Sequence, residues 1–459
     1  MNDKQPNEAI DLFLQDRLAR GKALRQKTPR SSHAIWQVPT DRPDPIQLLE
    51  ATNEGRLPEL VPIRYGRMVR SPFTFLRASA AAMARDLAST PNSGIMVQLC
   101  GDCHLLNFGI FGTPERNLIF DINDFDETLP GPWEWDVKRL ATSFVLAGRF
   151  NQLSERNCLE AAQRVVSSYR RHLHDYCRMG VLEVWYAHLD SSLLAKLSRN
   201  RTDRQQRLQE NAKALTSTTA RIFPKMTEVV AGVRRIVDHP PLIFHLKSSD
   251  LLEQEMYAAL KSYPETLQDD RRFQLSRFKA VDLAMKVVGV GSVGTRCGAF
   301  LLLAAENDPL FLQIKEARSS VLEPFVAKSK YQNQGHRVVT GQRLLQATSD
   351  IFLGWAPHTT GHNYYFRQLR DSKGGVVVEG MNASSLTDYA EACGWALARG
   401  HAKSGDAAAI AGYLGTGDTF DCAVATFAGA YADQTERDHT AMLNAVRAGR
   451  LVAQVETSP

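Results

Sequence analysis

The chain has 459 residues, of which 44% are hydrophobic, 23% charged and 8% aromatic; this mix excludes wholesale disorder and can fill a large core without disulfide staples. Its 55 lysines and arginines against 50 acids give a net charge of +5, too weak to argue for a nucleic-acid partner, and no apolar run reaches the roughly 18 residues of a membrane span. At roughly 150 residues per domain the length implies about three domains.

Residues 1–60 are basic and broken by prolines. Arg17, Arg20, Lys22, Arg25, Lys27 and Arg30 cluster ahead of the loop VPTDRPDP and read as a solvated helix face. Helical spacing runs through PFTFLRASAAAMARDLAS (72–89), and the turn at 91–94 stops it. IMVQLC (95–100) reads as a buried strand leading into GDCHLLNFG (101–109). FGIF (108–111) and LIFDI (118–122) around GTPERN predict a hairpin, and LPGP (129–132) reads as punctuation. WEWDVKRLATSFVLAGRF (133–150) is an amphipathic helix, and 154–262 is mostly helical by pattern, HLDSSLLAKLS (188–198) included. Near 285 the period changes: MKVVGV, CGAFLLLAA and LFLQIKEA read as three strands, with glycines in the first connection. GHRVVTGQRLLQATSDIF (335–352) predicts a helix running toward a strand, YYFRQLRD (364–371) another strand, and helices return from 385. This order suggests one β-containing lobe set between helical portions, an α+β fold.

Two constellations carry chemistry. Asp102, Asn107, Asp121, Asp124, Asp126 and Glu127 crowd around the predicted hairpin. Carboxylates and an amide at strand ends make a hard-oxygen set suited to magnesium. An Asp five residues before an Asn can divide labour: Asp102 accepts a proton while Asn107 holds a metal. Acids packed beside Phe120, Ile122 and Phe125 would repel one another without a cation. His104 could polarise Asp102 or order the loop. The second constellation is GVGSVGT, with Gly289, Gly291, Ser292 and Gly294 between predicted strands, where backbone N–H groups can approach phosphates. A strand follows it, which excludes a Rossmann turn, and no Lys-Ser/Thr follows, which excludes a P-loop. Lys315, inside the strand FLQIK, matches a kinase-type phosphate lysine. CGDCH (100–104) has the spacing of haem attachment, but the absence of an apolar signal core and the odd set of seven cysteines point to reduced thiols in the cytoplasm.

GDCHLLNFG followed by DINDFD and WEWDVKRLA resembles the catalytic core of aminoglycoside- and choline-kinase-like phosphotransferases. The resemblance implies Asp102 as base, Asn107 and Asp124 as metal ligands, Asp121 and Asp126 as helpers, and Asp136 as a brace for the catalytic loop. From about residue 60 onward the chain also resembles a bacterial family catalogued as domain of unknown function 2252. The stretches RYGRMVRSPFTFLR, KVVGVGSVGT, QIKEA, GQRLLQATSDIFLGW and HAKSGD carry that resemblance; Ala78 stands where FLRG is usual. In kinases the glycine loop and lysine precede the catalytic loop, whereas here they follow it. The resemblance therefore implies a bilobal, circularly permuted arrangement: a basic extension (1–60), a first large-lobe part (61–279), a small β-lobe (280–372) and a second large-lobe part (373–459). The partner of Lys315 stays open between Gln342 and Glu323. The implied function is an ATP- and Mg²⁺-dependent phosphotransferase acting on an unidentified acceptor, with a nucleotide-binding scaffold or an AMP-transferring variant as alternatives.

Overall fold

The computed structural model describes residues 5–456 apart from 193–196, 198–199, 217–218, 248–249, 360 and 370–375. It is a mixed α+β structure in which the sheets are small and helices supply most of the core. No helix among the described residues is long and apolar enough to cross a membrane.

The N-terminal helix Gln5–Lys27 crosses the helix Ala407–Leu414 and closes off its C-terminal end. Arg25 Nε donates to Tyr413 O at 2.8 Å, Arg25 Nη2 donates to Gly412 O, and Arg30 Nη1 donates to Leu414 O at 2.5 Å. These are last-turn carbonyls without intrahelical partners, sitting at the negative end of the helix dipole. Arg17 pairs with Asp406, which caps the same helix. Arg17, Arg25 and Arg30 of the basic cluster therefore tie the N-terminal segment to this helix, while Arg20, Lys22 and Lys27 lie exposed as expected of a solvated face.

The stretch 72–89 is two helices, Pro72–Leu76 and Ala80–Ala88, where one was expected. The Leu76 carbonyl accepts from Arg139 Nη2 (2.8 Å) and Ser79 Oγ (3.1 Å), so it does not continue the i→i+4 ladder. Strands β1 (Met96–Leu99), β2 (Phe108–Gly112), β3 (Leu118–Ile122) and β4 (Leu129–Pro132) follow. β2 and β3 form the expected hairpin, to which β5 (Leu189–Asp190) adds an edge. LPGP, expected as punctuation, is β4 itself and pairs antiparallel with β1 from Met96↔Pro132 to Leu99↔Leu129. A two-stranded ladder leaves one edge of each strand unpaired, so proline's missing donor is tolerated there. This pairing ties together both ends of the segment that carries the acidic cluster.

The helix Trp133–Phe150 starts at once after β4 and is buried on every side from Trp133 to Gly148. Its polar residues must therefore find partners inside the protein. It packs with the helices Glu155–Tyr176, Ala383–Ser404 and Thr419–Arg447 in the largest core. Within 154–262, expected as mostly helical, lies a hairpin of β6 (Thr227–Val230) and β7 (Val233–Ile236). Ala231 (φ 50°) and Gly232 (φ 81°) make its two-residue turn, and the β-branched Val229, Val230 and Val233 favour strand over helix. Residues 189–190 of the expected 188–198 helix are β5, residues 191, 192 and 197 are helical, and 193–196 and 198 lie outside the described residues.

A six-stranded antiparallel sheet has the order β12-β13-β11-β10-β9-β8. Its strands are β8 (Ile243–Phe244), β9 (Lys279–Lys286), β10 (Cys297–Ala305), β11 (Asp308–Ala317), β12 (Gly354–Trp355) and β13 (Asn363–Gln368). Residues 370–371 of the expected 364–371 strand lie outside the described residues. The sheet is covered on both faces: Phe300 and Leu302 pack with Met256 and Tyr263, while Ala299 and Leu301 pack with Phe223 and Ile236. That explains why CGAFLLL reads as a continuous apolar run. The glycine segment joins β9 to β10, and the helix Gln334–Leu345 lies between β11 and β12.

Candidate active site

Both constellations line one cleft of about 390 Å³. Asp102, His104, Asn107, Asp124, Asp126 and Glu127 form one side, and Gly289, Gly291 and Ser292 stand over them. Gly291 sits so close that a Cβ there would lie 3.1 Å from Arg77 O and 3.9 Å from Asp102 Oδ2. Gly289 and Gly294 turn the chain with φ of +65° and +88°. The loop is also held from outside. Leu57 N donates to Gly294 O (2.7 Å), Arg56 Nη1 to Val293 O (2.6 Å) and Arg67 Nη1 to Gly289 O. Val293 is buried against Leu60 and Ile63, and Val290 belongs to a second buried cluster with Tyr65 and Met68.

Asp102 Oδ1 accepts from Arg139 Nε at 2.8 Å and from Arg139 Nη2, while Oδ2 lies 3.8 Å from His104 Nε2. Burial raises the Asp102 pKa, and the charges of Arg139 and Arg77 only partly offset the effect. Burial, helped by Arg77 and Arg139, holds His104 far below its ordinary pKa, so it is neutral near pH 7. The loop backbone is fixed by Asp136, whose carboxylate accepts from Cys100 N (2.8 Å) and Gly101 N (3.1 Å) and meets His401 Nε2 at 3.3 Å. Asn107 Nδ2 donates to Asp102 O (2.6 Å), leaving the amide oxygen as the acceptor side.

Asp124 is the more open carboxylate of its loop, with a third of its side chain exposed. Asp126 is engaged: it takes Lys315 Nζ at 2.5 Å, Tyr365 Oη at 2.6 Å and Ser292 Oγ at 3.3 Å. Lys315 Nζ also lies 3.9 Å from Asp124. Burial pulls Lys315 down, but the two aspartates reverse this and raise it well above its ordinary range. Burial pushes Asp126 up, and Lys315 with the Tyr365 hydroxyl outweighs it and holds the acid low. Asp124 is raised, first by burial and then by its neighbour Asp126.

Several expected residues sit elsewhere. Lys315 is 2% exposed and does not line the cleft; it stands behind Asp126. Asp121 is fully buried away from the cleft, where it accepts from Arg399 Nη2 (2.7 Å) and Ala347 N (2.8 Å). Neither Gln342 nor Glu323 meets Lys315: Gln342 Nε2 donates to Gln346 (2.9 Å), and Glu323 Oε1 is buried without a partner. The helix bearing Gln342 touches the acidic loop through Arg337, which donates to the carbonyls of Asp126 (2.8 Å) and Thr128 (2.6 Å). Cys100 and Cys103 are buried free thiols near Asp136, and burial raises both.

The expected residues left out Arg139 and the arginines of the opposite wall, Arg56, Arg64, Arg77, Arg85 and Arg318. For Arg139 a signal exists: it stands three residues after Asp136, on the helix face turned to the loop that carries Asp102. Arg56, Arg64, Arg77 and Arg85 come from the stretch 56–85, and Arg64 and Arg77 lie within the motif RYGRMVRSPFTFLR, but no charge pattern there points to the acids; Arg318 comes from a remote segment.

A family model described as an uncharacterized protein conserved in bacteria (DUF2252) matches residues 56–445. No curated protein and no solved structure matches the chain.

Proposed function

The chain belongs to the bacterial family DUF2252, a membership that fixes no chemistry, and we propose from the cleft that it is an ATP- and Mg²⁺-dependent phosphotransferase passing the γ-phosphoryl group to a hydroxyl. One observation carries this reading: Asp102, Asn107 and Asp124 share a cleft with a glycine loop from a remote part of the sequence, and Lys315 backs the acids from the strand after next. The sheet supports the finer, permuted kinase-like reading of the fold. Its glycine loop joins β9 to β10, its lysine is on β11, and a helix precedes its last two strands.

In this reading Asp102 takes the proton of the acceptor hydroxyl as the acceptor oxygen–phosphorus bond forms and the bond to the ADP leaving group breaks. Arg139 orients Asp102, and its charge opposes the burial that raises the acid. Asn107 and Asp124 form an all-oxygen pair of the kind Mg²⁺ prefers and would hold it; bound there, the ion neutralises charge on the triphosphate. The backbone N–H groups of the glycine loop face the phosphates. Lys315 is a positioning residue that holds Asp126 and, through its charge, Asp124.

The test is ATP labelled separately at the γ- and α-phosphates, with wild type, Asp102→Ala and Lys315→Ala. Transfer of γ-label, lost in Asp102→Ala, is the expected result. Transfer of α-label overturns phosphoryl transfer in favour of nucleotidylation, and failure of the wild type to bind Mg²⁺–ATP overturns the reading altogether.

A further inference from the structure

We infer that the cleft contains a subsite for a multiply charged oxyanion, formed by Arg56, Arg64, Arg77 and Arg318, and that the phosphoryl acceptor is itself a phosphorylated small molecule. The inference rests on the phosphotransferase reading and names its acceptor class.

The charge balance of the cleft is the first argument. Five acids line it: Asp102, Asp124, Asp126, Glu127 and Glu316. Three of them are neutralised from behind by cations that do not line the cleft. Arg139 pairs with Asp102, Lys315 with Asp126, and Arg296 with Glu316 at 3.1 Å. The arginines facing the same space have no ion pair among the described residues. Arg56 donates to the carbonyls of Thr52 (2.8 Å) and Val293 (2.6 Å), and Arg318 donates to Glu54 O. Arg64 donates to Asn53 Oδ1 (2.5 Å) and Ala78 O (3.1 Å). Backbone and amide oxygens orient these guanidiniums without neutralising them.

The second argument is an unmet donor. Arg64 is 1% exposed, and its Nε is buried with no partner; the Nε of Arg77 is likewise buried and unpartnered. A buried cation with an open donor is costly unless an anion reaches it. Desolvation bears this out, since burial lowers Arg56 to about 10 and drives Arg64 and Arg77 down as well. One carboxylate would cancel one of these charges, whereas a phosphate group has the charge and the acceptor oxygens to meet several forks at once. The subsite adjoins the base, because Arg77 and Asp102 line the same cleft and the Arg77 charge acts on the Asp102 carboxylate. An anion held there places the remainder of a small acceptor beside Asp102.

The experiment is calorimetric titration of the full chain with inorganic phosphate, alone and after saturation with Mg²⁺ and a non-hydrolysable ATP analogue. One phosphate per chain should bind in both conditions, at least tenfold more weakly in Arg64→Gln and Arg77→Gln. If Arg64→Gln fails to fold, Arg77→Gln and Arg318→Gln carry the test. Absence of phosphate binding, or equal affinity in wild type and variants, overturns the subsite. Displacement of phosphate by the analogue assigns the arginines to the nucleotide's own phosphates, which overturns the phosphorylated acceptor and keeps the phosphotransferase. Arginine-dependent phosphate binding without any analogue binding keeps the subsite and removes the phosphotransferase reading.

Discussion

The two walls of the cleft handle charge in opposite ways. On the acidic wall the key carboxylates have fixed cationic partners: Arg139 holds Asp102, and Lys315 with Tyr365 holds Asp126. On the opposite wall Arg56, Arg64 and Arg318 rest on carbonyl and amide oxygens, and Arg77 Nε rests on nothing. A compensated wall is one the fold itself stabilises. An uncompensated wall stores a penalty that a ligand relieves, so the same kind of substitution should have opposite consequences on the two sides.

The largest effect is expected where compensation is removed. Lys315→Met leaves Asp124 and Asp126 facing each other with Arg367 as the remaining nearby cation and should cost about 3–5 kcal/mol in urea unfolding. Adding Asp126→Asn should recover a good part of that loss. A Lys315→Met protein as stable as wild type would show that the acids need no partner. Asp102→Asn comes next, with phosphoryl transfer down roughly 10²–10⁴-fold in the label assay, the usual weight of a general base. Asp121→Asn should cost about 2–3 kcal/mol by orphaning the buried Arg399 while Mg²⁺ affinity stays unchanged. Weaker Mg²⁺ binding in that variant would return Asp121 to the metal set.

The pH dependence tests the base more gently. The folded Asp102 pKa is raised above 3.8. Between 3.8 and the raised value the folded state holds a proton that the unfolded state has lost, so this group's contribution to stability falls as pH rises through that window. The base is competent only above it, so the acid limb of kcat/KM should lie above pH 3.8. Arg139→Met removes the largest opposing charge and should move the limb to higher pH; a limb that stays put argues against Asp102. The smallest effect belongs to the arginine wall. Arg64→Met should change stability by no more than about 1 kcal/mol, and toward greater stability, because it removes a buried cation that has no counter-ion. A large loss there would mean that the two walls are not different in kind.

The acidic wall was legible in the sequence because it is local. Asp102, Asn107 and Asp124 sit at the ends of strands whose apolar runs and turn are plain, and Asp136 lies in the first turn of a helix where its carboxylate meets loop N–H groups. The glycine loop was legible too, since no side chain interrupts Gly289, Gly291 and Gly294 at the points of closest approach. What stayed hidden is partnership. Asp121 and Asp126 look alike in FDINDFDE, yet in β3 one carboxylate turns inward to Arg399, and past the strand end the other reaches Lys315.

By itself the sequence determined the α+β class, the β2–β3 hairpin and the glycine turn between strands, because each rests on short-range periodicity, turn chemistry and residue spacing, and the resemblance of its motifs pointed to the family. Only the tertiary structure decided that Lys315 answers to Asp126, that Arg25 and Arg30 close a helix end, and that four arginines of the stretch 56–85 together with Arg318 line the cleft with the acids. The pairing of Lys315 with Asp126 is set by a distance of a few ångströms between residues 189 positions apart, and no local pattern in a chain encodes that distance.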